Sequence, residues 1–324
     1  MAEPRGEQGR NRSPLRPVPY HRPVPAARLA LRRPLDLRLT LAPLRHGAGD
    51  PCTVLAADQA WRATRTSDGP ATVHLRVDGT TLVARAWGPG ASAALDAVPA
   101  LVGEDDDGAG FRPAHPLVAH LHRRLPGLRV PRSGAVVEAL VPTVLAQKVT
   151  AVSATRSYAA LVRAWGEPAP GPVDGPALVV PPGPERLAAM PSWAFHRLEV
   201  ERRRAETIRR ASRQARALEQ APAGSSGVAR ARLTTVAGVG PWTAAKVAYA
   251  ALGDGDAVCT GDFHLPHQVS WALAGEPRGD DARMLELLEP FRGHRARVQH
   301  LLVAACVRAP RFGPRLAAQS IAAI

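Results

Sequence analysis

The chain has 324 residues, 45% of them hydrophobic, with 42 Lys and Arg against 28 Asp and Glu, a formal net charge of +14 and a pI near 11.2. That length suits two compact domains or one large one with tails. No apolar run approaches the roughly 20 residues that span a bilayer, and the N-terminus lacks the apolar stretch of a secretory signal, so a membrane role is unsupported and cytoplasmic residence is expected. Cys52, Cys259 and Cys306 are too few and too widely spaced for a disulfide framework or for the four thiolates of an iron–sulfur cluster.

Positive charge on this scale suits a polyanionic partner, because each basic contact to a phosphate releases counterions. The signal is mild: only Lys148 and Lys246 are lysines, so arginine supplies the other 40 basic residues, a skew that genome base composition can produce. Residues 1–34 hold seven prolines and eight arginines against two glutamates and read as a disordered basic arm. Residues 35–102 read as a small α+β domain. LDLRLTL alternates like a half-buried strand, TVHLRVDGTTLVARAW places an Asp78-Gly79 turn between two strand-like runs, and ADQAWRAT and ASAALDAVPALV look helical. The acidic GEDDDGAG, 103–110, reads as a linker.

From 111 to 324 the pattern is helical. Ser133 is placed to cap a helix whose apolar positions run from Val136 to Val149, with a kink at Pro142. A Pro/Gly-rich stretch from Gly166 to Pro184 reads as a surface loop. The run 193–219 carries Arg202, Arg203, Arg204, Arg209, Arg210, Arg213 and Arg216, read as a solvated helix face in preference to a phosphate track. The fold class expected is therefore α+β: a mainly helical domain preceded by a small antiparallel-sheet domain.

The most informative segment is LTTVAGVGPWTAAK, 233–246. Two glycines between apolar runs make a short turn, and Pro241 suits the first position of the helix that follows, because it has no amide to lose. The outcome is a set of outward amides at a positive helix end, suited to phosphate oxygens or equally to an ordinary turn between core helices. Twenty residues after Trp242 stands Asp262, in VCTGDFHLPH. Together these segments resemble the helix-hairpin-helix DNA glycosylase superfamily, and GLRVPRSGAVVEALVPTVLAQKVTAVSA resembles the opening helix of the catalytic domain in its 3-methyladenine DNA glycosylase II family. The resemblance covers roughly the last 200 residues well and the N-terminal part loosely.

The resemblance implies a site. Asp262 would be the catalytic carboxylate, stabilising an oxocarbenium-like sugar and orienting water, although an aspartate here also suits a helix cap. Gly238, Val239, Gly240, Trp242 and Thr243 would contact DNA. Gln147 and Lys148 occupy the turn that enters the duplex, with Lys148 in place of an apolar wedge. Trp242 and Lys246 would line the base pocket. Trp242 stands where glycosylase/lyases hold a lysine, which implies a monofunctional hydrolase. Lys246 and Val303 stand where relatives carry aromatics, which leaves lesion specificity open, with Trp193 or Tyr158 as substitutes. Arg295 matches an arginine of structural or phosphate-contact role. His264, His267 and His294 read as surface or capping residues, and no metal site is expected. The implied cofactor list is empty apart from a structural monovalent cation at the hairpin. The implied partner is double-stranded DNA containing damaged, above all alkylated, bases, bound by a monomer at a bacterial nucleoid. Two other readings stay open: a non-catalytic hairpin clamp, and a glycosylase for oxidised or deaminated bases.

Overall fold

The computed structural model describes residues 18–19, 24–220 and 226–311. Most of the basic arm expected at 1–34, namely 1–17 and 20–23, lies outside the described residues, as do 312–324. The rest of that stretch is ordered: Ala26–Ala30 is a strand. Leu29 and Leu31, spaced between the arginines, pack against the core, and the Leu31 amide donates to the Thr80 carbonyl at 2.8 Å.

Five antiparallel strands form the sheet, in the order Ala26–Ala30, Thr81–Trp87, Gly69–Asp78, Gln59–Thr66, Thr53–Leu55. The Asp78-Gly79 turn joins two of them as expected, with Asp78 paired to Thr81 and Gly79 at φ +59°. LDLRLTL, expected as a strand, is instead the helix Leu37–Leu41, whose start is capped by Asp36 accepting the Leu39 amide at 2.9 Å; ADQAWRAT, expected as helix, is instead the Gln59–Thr66 strand. Cross-strand rings explain the change. Trp61 lies opposite His74 with centroids 4.0 Å apart and stacks on Trp87 at 5.5 Å, contacts that a pleated surface supplies and an isolated helix cannot.

Two cores organise the helices. The larger joins the sheet (Leu75, Leu82) to Leu140 of the Val136–Leu145 helix, Leu161 of Ala151–Trp165, Ile208 of Arg202–Arg213 and Val247 of Pro241–Leu252. The second packs Phe111 with Val118, Val269, Met284, Leu288 and Val298 from four later helices. Residues 103–110 do more than connect them. Asp106 and Arg297 form a buried ion pair, 6% and 3% exposed, and Asp106 Oδ2 also accepts the Val130 amide at 3.1 Å. Glu104 pairs with Arg129, itself 1% exposed.

Local expectations are refined in three further places. The Val136–Leu145 helix starts at Ala135, and its first amides are capped by the Glu219 carboxylate, which accepts from Val136 at 2.8 Å and Val137 at 2.9 Å. Ser133 does not cap it: its hydroxyl reaches only the Ala135 amide, at 3.4 Å. The 166–184 stretch folds back on itself through Glu167–Pro168 and Val179–Val180 and buries Ala169, Leu178 and Val180 against Trp61 and Ala63. The 193–219 run is three helices. Within it Arg204 leaves the solvated face: it is buried and donates at 2.8 Å to the carbonyl of Leu145, the last residue of its helix.

Candidate active site

The hairpin consists of the helices Ser226–Thr234 and Pro241–Leu252. Its two glycines meet different demands. Gly238 has φ +99°, and a Cβ there would lie 2.0 Å from Thr207 Oγ1, so the turn packs directly on the Arg202–Arg213 helix. Gly240 has an ordinary extended backbone and open space where a Cβ would stand. The Val239 amide is spent on the Val236 carbonyl at 2.9 Å, and the Val239 side chain is buried, so this residue offers no donor outward. The amides of Gly238, Gly240, Trp242 and Thr243 have no acceptor among the described residues. Gly238 and Gly240 are exposed and Trp242 is half-buried, so these three offer donors at the helix start, whereas Thr243 is buried.

Gln147 is tied into this turn. Its side-chain amide donates to the Gly238 carbonyl at 3.0 Å and to Thr243 Oγ1 at 2.9 Å. Lys148 follows, exposed and at φ +56°, a left-handed conformation rare for a residue with a side chain. The turn read as entering the duplex is therefore tied directly to the hairpin turn.

Asp262 lies where the two cores meet. Its Oδ2 accepts the Trp242 indole N–H at 2.8 Å, and its Oδ1 accepts the amides of His264 and Leu265 at 2.9 and 3.0 Å, which caps the Leu265–Ala274 helix. Catalytic and capping readings are thus compatible in one side chain. Burial pushes the carboxyl up, but the indole bond, the two amides and the Lys246 ammonium outweigh it and hold the group below the usual carboxylate range. Asp262 is an anion with its lone pairs already aimed.

Trp242 and Lys246 sit one helical turn apart, and the Lys246 Nζ lies 5.3 Å from the centroid of the Trp242 ring. Lys246 itself is exposed. One face of the indole is thus covered by a cation, and its edge is committed to Asp262. Two histidines feel the charge of that cation. His46 is pushed down to about 3 by burial, Arg62 and Lys246, and His300 to about 3 by burial and Lys246.

The candidate substitute aromatics are otherwise engaged. Tyr158 is 4% exposed, meets the His46 ring edge-on at 4.8 Å and has its hydroxyl 3.4 Å from Cys52 Sγ. Trp193 is exposed, with the Arg197 guanidinium 5.1 Å over its ring. Val303 is half exposed. Arg295 forms a bidentate pair with Asp256, which also accepts the Gly293 amide at 2.8 Å, so its role is to brace the chain before the Arg295–Ala304 helix. His267 accepts the Gly279 amide at 3.1 Å. Sequence reasoning missed Phe263, which is 80% exposed beside Asp262, although an apolar residue directly after a capping aspartate was a visible signal. It also missed His46, some 200 residues from Lys246 in the chain, for which no local pattern exists.

No family model and no curated protein matches the sequence. Solved structures do match the fold. The chain has the fold of the helix-hairpin-helix DNA glycosylases. Among them, a 3-methyladenine DNA-glycosylase from Archaeoglobus fulgidus superposes with a TM-score of 0.69 at 18% identity, over 86% of this chain and 97% of that one. MBOgg1, in complex with a low-affinity DNA ligand, gives 0.65 at 17% identity over 86% and 93%. The 8-oxoguanine glycosylase/lyase of Clostridium acetobutylicum, bound to double-stranded DNA, gives 0.59 at 13% identity over 84% and 91%.

Proposed function

We propose that the chain is a monofunctional DNA glycosylase of base excision repair, which hydrolyses the N-glycosidic bond of a damaged base, alkylated purines foremost. The observation that carries this reading is Asp262: an ionised carboxylate, fixed by three hydrogen bonds, one of them from Trp242 of the hairpin's second helix. A glycosidic bond to a base breaks through a sugar with oxocarbenium character, and a fixed carboxylate beside C1′ stabilises the positive charge as it develops. Water then adds to C1′, with Asp262 orienting it and drawing off its proton.

The other residues position the DNA. The amides of Gly238, Gly240 and Trp242 grip backbone phosphates without reading bases. Lys148 enters the duplex to fill the gap left by the extruded base, its stem packing in the stack. Trp242 holds Asp262 and presents its ring to the base. An indole has no amine for a Schiff base, and its nitrogen is already bonded to the carboxylate, so hydrolysis is the outcome. A purine carrying a positive charge from alkylation leaves as a neutral base and needs little acid assistance. A structural monovalent cation at the hairpin belongs to the same proposal. The carbonyls of Val236, Ala237, Gly238 and Gly240 already accept Val239, Arg210, Gln147 and Ala244, and each keeps a second lone pair for such an ion. No step of the reaction uses it.

The test is release of free base from methylated duplex DNA. Asp262→Asn should lower single-turnover release by about 10²-fold or more, the usual scale for a group that stabilises transition-state charge, while binding to the duplex persists. Undiminished release by the variant overturns the reading. Binding by wild type with no release favours a non-catalytic clamp, and a borohydride-trapped covalent adduct overturns the monofunctional assignment.

A further inference from the structure

We propose that Lys246 widens the substrate class of this site: its ammonium neutralises the charge that builds on an uncharged modified base as that base departs. The inference rests on the reading of Asp262 and Trp242 above and goes beyond it, because a carboxylate alone serves only bases that already leave well.

The geometry starts from one hairpin helix. Trp242 and Lys246 share a face, the ammonium lies 5.3 Å over the indole, and the indole edge holds Asp262 at 2.8 Å. A base extruded towards Asp262 therefore meets a cation lying on the aromatic surface. Lys246 is exposed and has no ion pair among the described residues, so its charge is not spent on a structural partner. Residues from three separate segments, His46, Cys259 with Asp262, and His300, feel that charge.

The chemistry separates two kinds of substrate. When the N-glycosidic bond breaks, its electron pair leaves with the base. A cationic alkylpurine becomes neutral and gains nothing from a nearby ammonium. A neutral modified base, such as a deaminated purine or an uncharged cyclic adduct, departs as an anion and is a poor leaving group unless a cation stands beside an acceptor nitrogen or oxygen. Lys246 stands there while Asp262 faces the sugar. Water supplies hydroxide to C1′, the departing base takes up a proton, and both residues end in their starting states. The two side chains thus divide the opposite charges of one transition state.

The experiment compares single-turnover release of hypoxanthine and of 7-methylguanine from otherwise identical duplexes by wild type, Lys246→Met and Lys246→Arg, with melting temperatures as the folding control. Lys246→Met keeps the stem over the indole and removes the charge. It should lower hypoxanthine release at least about tenfold more than 7-methylguanine release, a modest share of what a close charge contributes in a partly desolvated site. Lys246→Arg should retain most of the hypoxanthine rate. Equal losses on both bases, no loss on either, or an arginine variant as poor as methionine would overturn the inference while leaving the glycosylase reading intact. Wild type that releases neither base overturns both.

Discussion

The sharpest quantitative test concerns the two hairpin glycines, which the structure assigns to different jobs. Gly238→Ala places a side chain at φ +99°, with its Cβ 2.0 Å from Thr207 Oγ1 and 3.0 Å from Thr207 Cβ. The backbone conformation costs about 1–2 kcal/mol for a residue with a Cβ, and forcing the contact apart adds about 1–3 kcal/mol of overpacking, for a combined loss of about 2–5 kcal/mol in urea unfolding. Gly240→Ala meets open space at an ordinary φ. Its stability should stay within about 0.5 kcal/mol of wild type, while its affinity for duplex DNA falls because a methyl group stands in front of the outward amides. Thr207→Ala separates the two terms at Gly238. It removes the oxygen at 2.0 Å, so the double variant should recover the overpacking share and keep the backbone share. A Gly238→Ala protein as stable as Gly240→Ala, or a double variant no better than Gly238→Ala alone, would refute the account.

Two further outcomes are expected. Asp106→Ala leaves the Arg297 guanidinium buried without its carboxylate, and unfolding by denaturant should show a loss of about 3–5 kcal/mol; a loss under about 1 kcal/mol would mean that Arg297 finds water or another acceptor. The pH dependence follows from Asp262, whose carboxyl is held below the usual range in the folded protein. A depressed carboxylate stays ionised as pH falls until the folded pKa is reached, so base release should remain level through mildly acid pH and fail only below the ordinary aspartate range. Trp242→Phe removes one of the bonds that lower it and should move the acid limb upward. An acid limb centred above the ordinary aspartate range in wild type would contradict the geometry.

What was legible in the sequence was local. Gly238, Gly240, Pro241 and the spacing to Asp262 all act within a few turns of chain, and the apolar periods of the helical part follow from each helix burying one stripe. What was not legible depends on distant partners. Trp61 makes Gln59–Thr66 a strand only because His74 and Trp87 lie opposite. Asp106 sits in a stretch that reads as solvent-loving, and 191 residues separate it from the Arg297 that makes its burial tolerable. Glu219 caps a helix that begins more than 80 residues earlier. Gly238 looked like a residue kept small for a ligand, and the nearer reason is Thr207, which no pattern around the turn discloses.

The side-chain amide of Gln147 carries a mechanical consequence. Its two N–H groups end on the Gly238 carbonyl and the Thr243 hydroxyl, and the next residue in the chain is Lys148 in its left-handed conformation. On the function proposed above, the part that would hold the phosphodiester and the part that would reach between the bases are therefore one rigid jaw, not two fingers that close separately. How far Lys148 would penetrate would then be fixed by where the backbone rests, and a strand seated even one nucleotide out of register would present the wrong base to Asp262.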